Sequence, residues 1–124
     1  MDTHALIWWG ENNIRLSRVA AEAIDAQGSE VLVSAVSAME VTLKFRLGKL
    51  PSAEPLARDF EGETAAAGFI PLAITLAHAS LAGGLEIPHK DPFDRLLIAQ
   101  ALVEDLTLVS NEAIFDGFGV KRLW

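Results

Sequence analysis

The sequence predicts a three-layer α/β domain in which helices flank a central, mostly parallel sheet. Short runs rich in β-branched residues alternate along the chain with longer segments of helical spacing, and glycines close several of those segments. The 124 residues suffice for one domain with a buried core, so we interpret residues 1–124 as a single domain. Hydrophobic residues make up 51% of the chain and charged residues 22%, which is a globular composition.

Each element is predicted from local signals. Serine or aspartate at the start and glycine or proline just past the end mark most of the helices. In chain order, the predicted helices are THALIWW after Asp2, VAAEAIDAQ after Ser17, the segment 36–47, the segment 54–66, TLAHASLAGG, and Pro92 to Glu104. The predicted strands are EVLVS at 30–34, FIPLAI, TLVS and VKRLW, with NEAIF as a helical turn before the last one.

Composition excludes several classes of function. The chain has no cysteine, which rules out disulfides, thiolate metal sites and cysteine nucleophiles and agrees with a reducing cytoplasm. Its three histidines lack the spacing of a zinc site or a serine triad, and there is no G-x-G-x-x-G segment or P-loop. MDTHALIWWG has neither a basic region nor a long apolar run, so we expect a soluble, cytoplasmic protein with no membrane span.

The net charge bears on nucleic-acid binding. A formal charge of −7 argues against a broad electrostatic contact with a polyanion. It does not exclude a nuclease, because acids gathered around a metal ion add to the negative count while the ion reverses their local effect.

The segment HKDPFDRLLIAQA contains two aspartates at the start of a helix. Both fit capping roles, with Asp91 as N-cap, Pro92 at the first helical position and Asp94 complementing the helix dipole. Asp94, however, also lies at the head of an apolar stripe that we expect to face inward, formed by Leu97, Ile98, Ala101 and Leu102. A buried carboxylate requires a partner, so Asp94 is the candidate for a functional role and Asp91 for the cap.

The other candidate acids also have two interpretations each. Ser37-Ala38-Met39-Glu40 fits a capping box, yet Glu40 also follows a strand at the sheet edge where open α/β folds bind ligands. Asp2 either caps the THALIWW helix or ends a very short first strand. The polar residues after the TLVS strand are Ser110, Asn111, Glu112 and Asp116. Either of the two acids among them could simply cap the next turn.

Four acids share one topological position, at the end of a strand or the start of the helix that follows. They are Asp2, Glu40, Asp94 and Glu112. Because the carboxyl ends of parallel strands meet at one edge, we expect these carboxylates to converge. Like charges so close together favour a divalent cation, and all-oxygen ligands select Mg²⁺ or Mn²⁺ over zinc. Such a centre suits hydrolysis of a phosphodiester by an activated water.

Four segments together resemble a known family. MDTHALIWW, SAVSAMEVTLKFRLGKL, HKDPFDRLLIAQA and LTLVSNEAIFDGFGVKRLW, in this order and spacing, resemble the PIN-domain ribonucleases of VapC-type toxin–antitoxin systems. These segments cover about half the chain, and DPFDRLLIAQA is the most specific of them. The resemblance implies a PIN-like fold, Mg²⁺- or Mn²⁺-dependent endoribonuclease activity, commonly on transfer RNA or another structured RNA, and inhibition by a VapB-like antitoxin.

The resemblance also implies roles for individual residues. By motif position Asp2, Glu40 and Asp94 correspond to the first three invariant acids, and Ser110 to a hydroxyl residue that helps to organise the site. The family usually has Asp or Asn at the fourth acid position, where this chain has Glu112, with Asp116 as a second candidate. Only Met1 precedes Asp2, where the family has several apolar residues of a central strand. Either that strand is unusually short here or the sequence lacks its natural start.

Basic residues near these acids suggest partners. Lys44, Arg46 and Lys49 follow Glu40, and Arg95 follows Asp94; each either forms an ordinary ion pair or contacts RNA phosphate or an acidic antitoxin segment. A mean hydropathy of +0.29 favours a homodimer or an antitoxin complex. Two alternative functions remain open at this stage: a catalytically inactive PIN-like binding module, and a PIN nuclease that processes DNA.

Overall fold

The computed structural model describes all residues, Met1 to Trp124, and contains seven α-helices, two 3-10 helices and four short strands. The helices are α1 (Thr3–Gly10), α2 (Arg18–Asp25), α3 (Ala35–Arg46), α4 (Glu54–Arg58), α5 (Phe60–Ala66), α6 (Leu76–Gly84) and α7 (Pro92–Val103). The strands are β1 (Leu32–Ser34), β2 (Ile70–Leu72), β3 (Thr107–Val109) and β4 (Lys121–Leu123). The 3-10 helices are Pro51–Ala53 and Ala113–Phe118.

The strands form two parallel pairs. β1 pairs with β2, with Leu32 opposite Ile70, and β3 pairs with β4, with Thr107 opposite Lys121. The predicted parallel α/β fold is therefore confirmed, but the expected continuous central sheet is divided into two halves. Between the halves, the Met1 nitrogen donates to the Leu32 carbonyl on β1 (3.4 Å) and the Asp2 N–H donates to the Val109 carbonyl at the end of β3 (2.9 Å).

Helices cover both faces of the divided sheet. On one face, α1 and α2 pack on β1 through a cluster that includes Leu6, Ile24 and Val33. On the other face, α7 packs on β3 through Ile98 and Leu108, together with Phe115 and Val120. These two cores give the three layers that the sequence predicts. No helix combines the length and the apolar character needed to cross a membrane.

Two helix boundaries differ from the predictions. The helix expected over 54–66 is broken at Asp59, whose backbone leaves the helical region and whose carboxylate caps α5 by accepting a hydrogen bond from the Gly62 N–H (3.0 Å). The start of α3 is capped by Ser34, whose hydroxyl accepts from the Val36 N–H (3.0 Å). Ser37 lies inside the helix, so the capping-box interpretation of Glu40 is wrong.

Candidate functional site

A small acidic cavity of about 60 Å³ lies where the carboxyl ends of the strands meet the helices that follow them. All four acids predicted to converge line this cavity, although they come from distant parts of the chain. We call it the acidic cavity; its lining residues are Asp2, Thr3, His4, Glu40, Lys44, Asp91, Asp94, Leu97 and Glu112.

Asp2 is fixed by the backbone on both sides. Its N–H donates to the Val109 carbonyl at the end of β3 (2.9 Å), and its Oδ1 accepts from the Ala5 N–H (2.9 Å). Asp2 therefore caps α1, as one interpretation predicts, and also faces the cavity. Burial raises the pKa of its carboxyl group above the ordinary value, although hydrogen bonds from Ser110 and Ala5 oppose that shift.

Glu40 lies on α3 with only 5% of its surface exposed, and its carboxylate pairs with the Lys44 ammonium one turn later. Burial disfavours the charge of Lys44, but the hydrogen bond to Glu40 and the negative charges of Glu40, Asp91 and Asp94 outweigh it and raise the Lys44 pKa. The buried acid is thus paired within the chain. Lys44 therefore lies inside the acidic cavity as a cation, whereas its spacing from Glu40 in the sequence is equally compatible with a solvated ion pair.

The two aspartates of DPFD make different contacts. Asp91 is the N-cap of α7, because its Oδ1 accepts from the N–H groups of Phe93 (2.9 Å) and Asp94 (3.1 Å). The carboxylate of Asp94 instead contacts His89, with 2.6 Å between Oδ2 and Nε2. Burial, followed by the charge of Asp91, raises the Asp94 pKa, while the hydrogen bond with His89 lowers it. Of its predicted stripe, Leu97, Ile98 and Ala101 are buried, whereas Leu102 is exposed.

Glu112, rather than Asp116, reaches the cavity. Ser110 is fully buried, and its hydroxyl accepts from the Glu112 N–H (3.0 Å). Burial raises the pKa of Glu112, and the negative charges of Asp94 and Asp2 raise it further. Asp116 lies outside the cavity in an ion pair with Arg122 (2.7 Å), which lowers the Asp116 pKa. Of the two candidates for the fourth acid, only Glu112 lines the cavity.

The other predicted basic residues lie outside the cavity. Arg95 donates through Nε to the Ala82 carbonyl (2.9 Å) and through its terminal nitrogens to those of Leu85 (2.6 Å) and His89 (2.9 Å). Its guanidinium holds the segment between α6 and α7, so Arg95 is not free to contact RNA or an antitoxin. Arg46 and Lys49 are exposed and form no ion pair.

The donor set fits a hard divalent cation in its chemistry. All four acids supply oxygen, and the cavity has room for an ion with a few waters. In this conformation, however, no three Asp, Glu or His side chains are placed to hold one ion together. The carboxylates of Glu40 and Asp94 instead contact Lys44 and His89, respectively. To bind an ion with three or more of the acids, the cavity must exchange at least one of these internal contacts for the metal.

Three neighbours of the acids were not predicted. His89 has no motif spacing, and only its position five residues before Asp94 could have indicated the contact. Thr3 and Ser37 are both buried next to cavity acids, and the Thr3 hydroxyl donates to that of Ser37 (3.0 Å), which connects α1 to α3. No sequence signal connects two residues so far apart in the chain.

Fold and site together define an α/β protein with an acidic cavity at the carboxyl ends of parallel strands. The family model for the PIN domain matches residues 1–121, and the chain therefore belongs to the PIN-domain family. PIN domains are generally metal-dependent nucleases and typically bind divalent metal ions. No curated protein and no solved structure gave a significant match.

Proposed function

We propose that this PIN-domain protein is a Mg²⁺- or Mn²⁺-dependent endoribonuclease and the toxin of a VapBC-type toxin–antitoxin module. One observation carries the nuclease proposal: Asp2, Glu40, Asp94 and Glu112, from four separate segments, line a single cavity. Family membership supports phosphodiester hydrolysis in general. RNA as the substrate and the toxin role rest on the resemblance of the four sequence segments.

The acids divide into two proposed roles. Asp2, Glu40 and Asp94 are the proposed metal ligands, because Asp2 and Glu40 are buried and the Asp94 side chain is only 18% exposed. A divalent cation, when bound, stabilises negative charge on a phosphate and makes water a stronger nucleophile at neutral pH. Mg²⁺ and Mn²⁺ are the proposed ions because the donors are all oxygens.

Glu112 is suited to accept a proton. No protein group donates a hydrogen bond to its carboxylate, and both burial and neighbouring acids raise its pKa towards the working range of a general base. In the proposed step a water oxygen bonds to phosphorus, its proton passes to Glu112, and the bond from phosphorus to the leaving ribose oxygen breaks. That oxygen takes a proton from solvent.

Substitution of Asp94 tests the proposal. Loss of one metal ligand removes several kcal/mol of transition-state stabilisation, so Asp94→Asn is expected to reduce Mn²⁺-dependent RNA cleavage by at least about 100-fold and to relieve growth inhibition. Asp116→Asn is the matched control, because Asp116 is an exposed acid outside the cavity, and it should cleave like the wild type. Circular dichroism should show the same fold for both. An Asp94→Asn protein with wild-type cleavage contradicts the proposal.

The partners of the proposed toxin follow from its surface. Arg46 and Lys49, exposed and unpaired, are the proposed contacts for RNA phosphate or for an acidic antitoxin segment, with Lys44 joining them when it leaves Glu40. Large apolar side chains such as Leu76 and Met39 are also exposed, which supports a homodimer or an antitoxin complex. Light scattering tests for the homodimer. A small upstream reading frame that encodes a DNA-binding antitoxin would support the antitoxin complex.

A second candidate function has one observation in its favour. The acids do not present a ready ligand set, because Lys44 and His89 are already paired with two of them. A PIN-like module that binds a partner without catalysis would not need a set of free metal ligands. Calorimetry distinguishes the two candidates: heat of Mn²⁺ binding at neutral pH that disappears in Asp94→Asn supports the nuclease, and no binding supports the module. Parallel assays on tRNA and branched DNA separate the ribonuclease from a DNA-processing nuclease.

A further inference from the structure

Two adjacent tryptophans on α1 have different surroundings. The Trp9 ring packs on Phe69, with 4.8 Å between ring centroids, and belongs to the apolar cluster between α1, α2 and β1. Its indole N–H donates to the Asp25 carboxylate (3.0 Å). Trp8 packs on none of the apolar core clusters, and no protein group accepts a hydrogen bond from its N–H. The fold therefore uses both the ring and the donor of Trp9, but not those of Trp8.

The indole N–H of Trp8 reaches solvent. Trp8 is partly buried, and no buried side-chain nitrogen or oxygen of the molecule lacks a hydrogen-bond partner. Since the Trp8 N–H has no such partner, this group is accessible to water. A tryptophan that serves the core usually has its N–H paired, because a buried donor without an acceptor costs free energy. Trp8 thus presents an aromatic ring and a free donor at the surface.

This surface begins at the acidic cavity. The neighbour of Trp8 on the same face of α1 is His4, one turn earlier, with 5.7 Å between the ring centroids and 47° between the ring planes. His4 lines the acidic cavity together with Asp2 and Glu112. Its ring nitrogens also form no hydrogen bond and reach solvent. The two rings therefore form an aromatic surface that extends from the cavity wall by about 6 Å along α1.

Trp124 helps to hold the Trp8 ring in place. The two rings meet edge to face, with 5.9 Å between centroids and 61° between planes. Trp124 in turn packs on the apolar cluster between α1, α2 and β1. Trp8 is thus held by two aromatic neighbours, His4 and Trp124, and not by the core. A ring that is already held loses little freedom when a flat ligand stacks on it.

A nucleobase is a flat ligand that fits this surface. Sites for unpaired nucleotides use the rings of Trp, Tyr, Phe and His as stacking platforms. A strand with one phosphate at the acids must place its neighbouring nucleotides along the walls of the cavity. The wall formed by α1 carries no acidic side chain from Thr3 to Gly10, so it does not repel a polyanion as the acids do.

We propose that His4 and Trp8 form a nucleobase subsite, in which an unpaired base next to the scissile phosphate stacks on the Trp8 indole, with His4 between that base and the acids. The occupant is part of the substrate of the acidic cavity, so the subsite rests on the proposed nuclease function. Trp8 acts in substrate binding and not in the chemical step, because the stack is the same before and during hydrolysis.

Trp8→Leu separates binding from chemistry. It keeps an apolar side chain but removes the aromatic face, so we expect KM for Mn²⁺-dependent cleavage of a single-stranded RNA to rise about tenfold, while kcat changes less than about twofold. Trp8→Phe restores a ring and should recover most of the affinity. Val103→Ala is the matched control, because Val103 is exposed at the end of α7 remote from Asp94, and it should behave like the wild type.

An abasic nucleotide tests whether the lost affinity comes from one base. For the wild type, an RNA with an abasic nucleotide next to the cleaved bond should have a KM about tenfold higher than that of the intact strand. In Trp8→Leu the same abasic change should have little further effect, because the contact is already absent. A change in the shape of α1, or a general loss of apolar surface, would instead make the two effects additive.

A second measurement does not need cleavage. The chain has three tryptophans, and their indole N–H resonances can be assigned with Trp8→Phe and Trp124→Phe. Millimolar adenosine should shift the Trp8 resonance of the metal-free protein. It should leave that of Trp9, whose N–H is bonded to Asp25, in place. Methyl riboside, which has the sugar but no base, should shift neither resonance.

The outcomes separate the subsite from the nuclease. If the protein cleaves RNA but Trp8→Leu leaves KM unchanged, or if its effect and the abasic effect are additive, the subsite is wrong while the nuclease proposal stands. If the protein cleaves no RNA, the proposed function fails and the adenosine titration decides alone. A shift of Trp8 without Trp9 then supports a nucleobase site, and no shift, or the same shift with methyl riboside, overturns it.

Discussion

Helix α7 contributes to two buried polar regions that differ in charge. At its amino end Asp94 belongs to the acidic cavity. Two turns later Gln100, only 2% exposed, belongs to a polar network that connects β1, α6 and α7. There the Ser34 hydroxyl donates to Gln100 Oε1 (2.5 Å), and Gln100 Nε2 donates to the Ala73 carbonyl (3.3 Å). His78 accepts through Nδ1 from the Thr75 N–H (3.0 Å).

The difference between the two regions is electrostatic. In the network of Gln100 the polar groups pair donor with acceptor, and His78 has its other ring nitrogen, Nε2, free to donate to Glu104 (2.8 Å). In the acidic cavity several carboxylates face one another, and the pKa values of Asp2, Asp94 and Glu112 are raised, by burial first in each case. A network whose buried donors and acceptors are all paired stabilises the fold, whereas an excess of buried negative charge weakens it unless a ligand compensates. Opposite effects of substitution in the two regions are therefore expected.

The largest expected effect is on the network of Gln100. Gln100→Ala removes the partner of Ser34, leaves buried polar groups without hydrogen bonds and creates a cavity, so we expect it to lower the free energy of unfolding by about 3 kcal/mol. Urea unfolding followed by fluorescence measures this change. The matched control is Gln27→Ala, an exposed glutamine outside any regular element, which should change stability by less than about 0.5 kcal/mol. A loss below about 1 kcal/mol for Gln100→Ala would remove the distinction drawn between the two regions.

The next effect is a pH dependence that comes from the acidic cavity. A carboxyl group whose folded pKa is raised stabilises the fold fully below its unfolded pKa, and that contribution is lost as pH rises through the folded value. For Asp2, Asp94 and Glu112 the loss begins near pH 4 and continues above the ordinary carboxyl range. The Tm of the metal-free protein should therefore fall by a few degrees between about pH 4.5 and 7.5.

Two comparisons test the origin of that pH dependence. Asp105 and Asp116 have lowered pKa values, from Lys121 and Arg122 respectively, and act in the opposite direction, but full exposure to solvent screens them. Saturating Mn²⁺ favours the deprotonated acids and should reverse the slope. A Tm of the metal-free protein that instead rises steadily over this range would show that surface ion pairs outweigh the acidic cavity.

The sequence predicted which acids would meet at the sheet edge, but it did not predict the side-chain contacts around them or the network of Gln100. Asp2, Glu40, Asp94 and Glu112 could be grouped because strand ends in a parallel sheet share an edge, and the structure places them around one cavity. The pairing of Asp94 with His89, the commitment of Arg95 to backbone carbonyls and the network around Gln100 were not predicted. Each depends on side-chain geometry across a loop or between helices, where neither periodicity nor spacing specifies a partner.

The division of the sheet shows the same limit. Alternating strands and helices correctly predict parallel pairing, because each helix returns the chain to the same end of the sheet. Whether neighbouring pairs join depends on a strand between them, and the structure has the pairs β1–β2 and β3–β4 as separate sheets. The sequence therefore predicted the fold class, while the division into two half-sheets became evident only in three dimensions.

The smallest effect, and the one that isolates charge most cleanly, is expected from Glu112→Gln. The carboxylate accepts no protein hydrogen bond, so the change removes repulsion from Asp94 and Asp2 without breaking a contact. Because Glu112 is partly exposed, solvent screening limits the gain in stability of the metal-free protein at pH 7 to a few tenths of a kcal/mol. Replicate urea titrations of wild type and variant at pH 7 and pH 4 resolve such a difference, with Glu61→Gln on the exposed part of α5 as the matched control. The gain should be larger at pH 7 than at pH 4, because the raised pKa of Glu112 favours its uncharged form at low pH, and RNA cleavage should fall even though the fold is more stable. A variant that is less stable at pH 7 would mean that Glu112 forms a favourable contact. Glu112 would then not contribute to the destabilising negative charge of the acidic cavity.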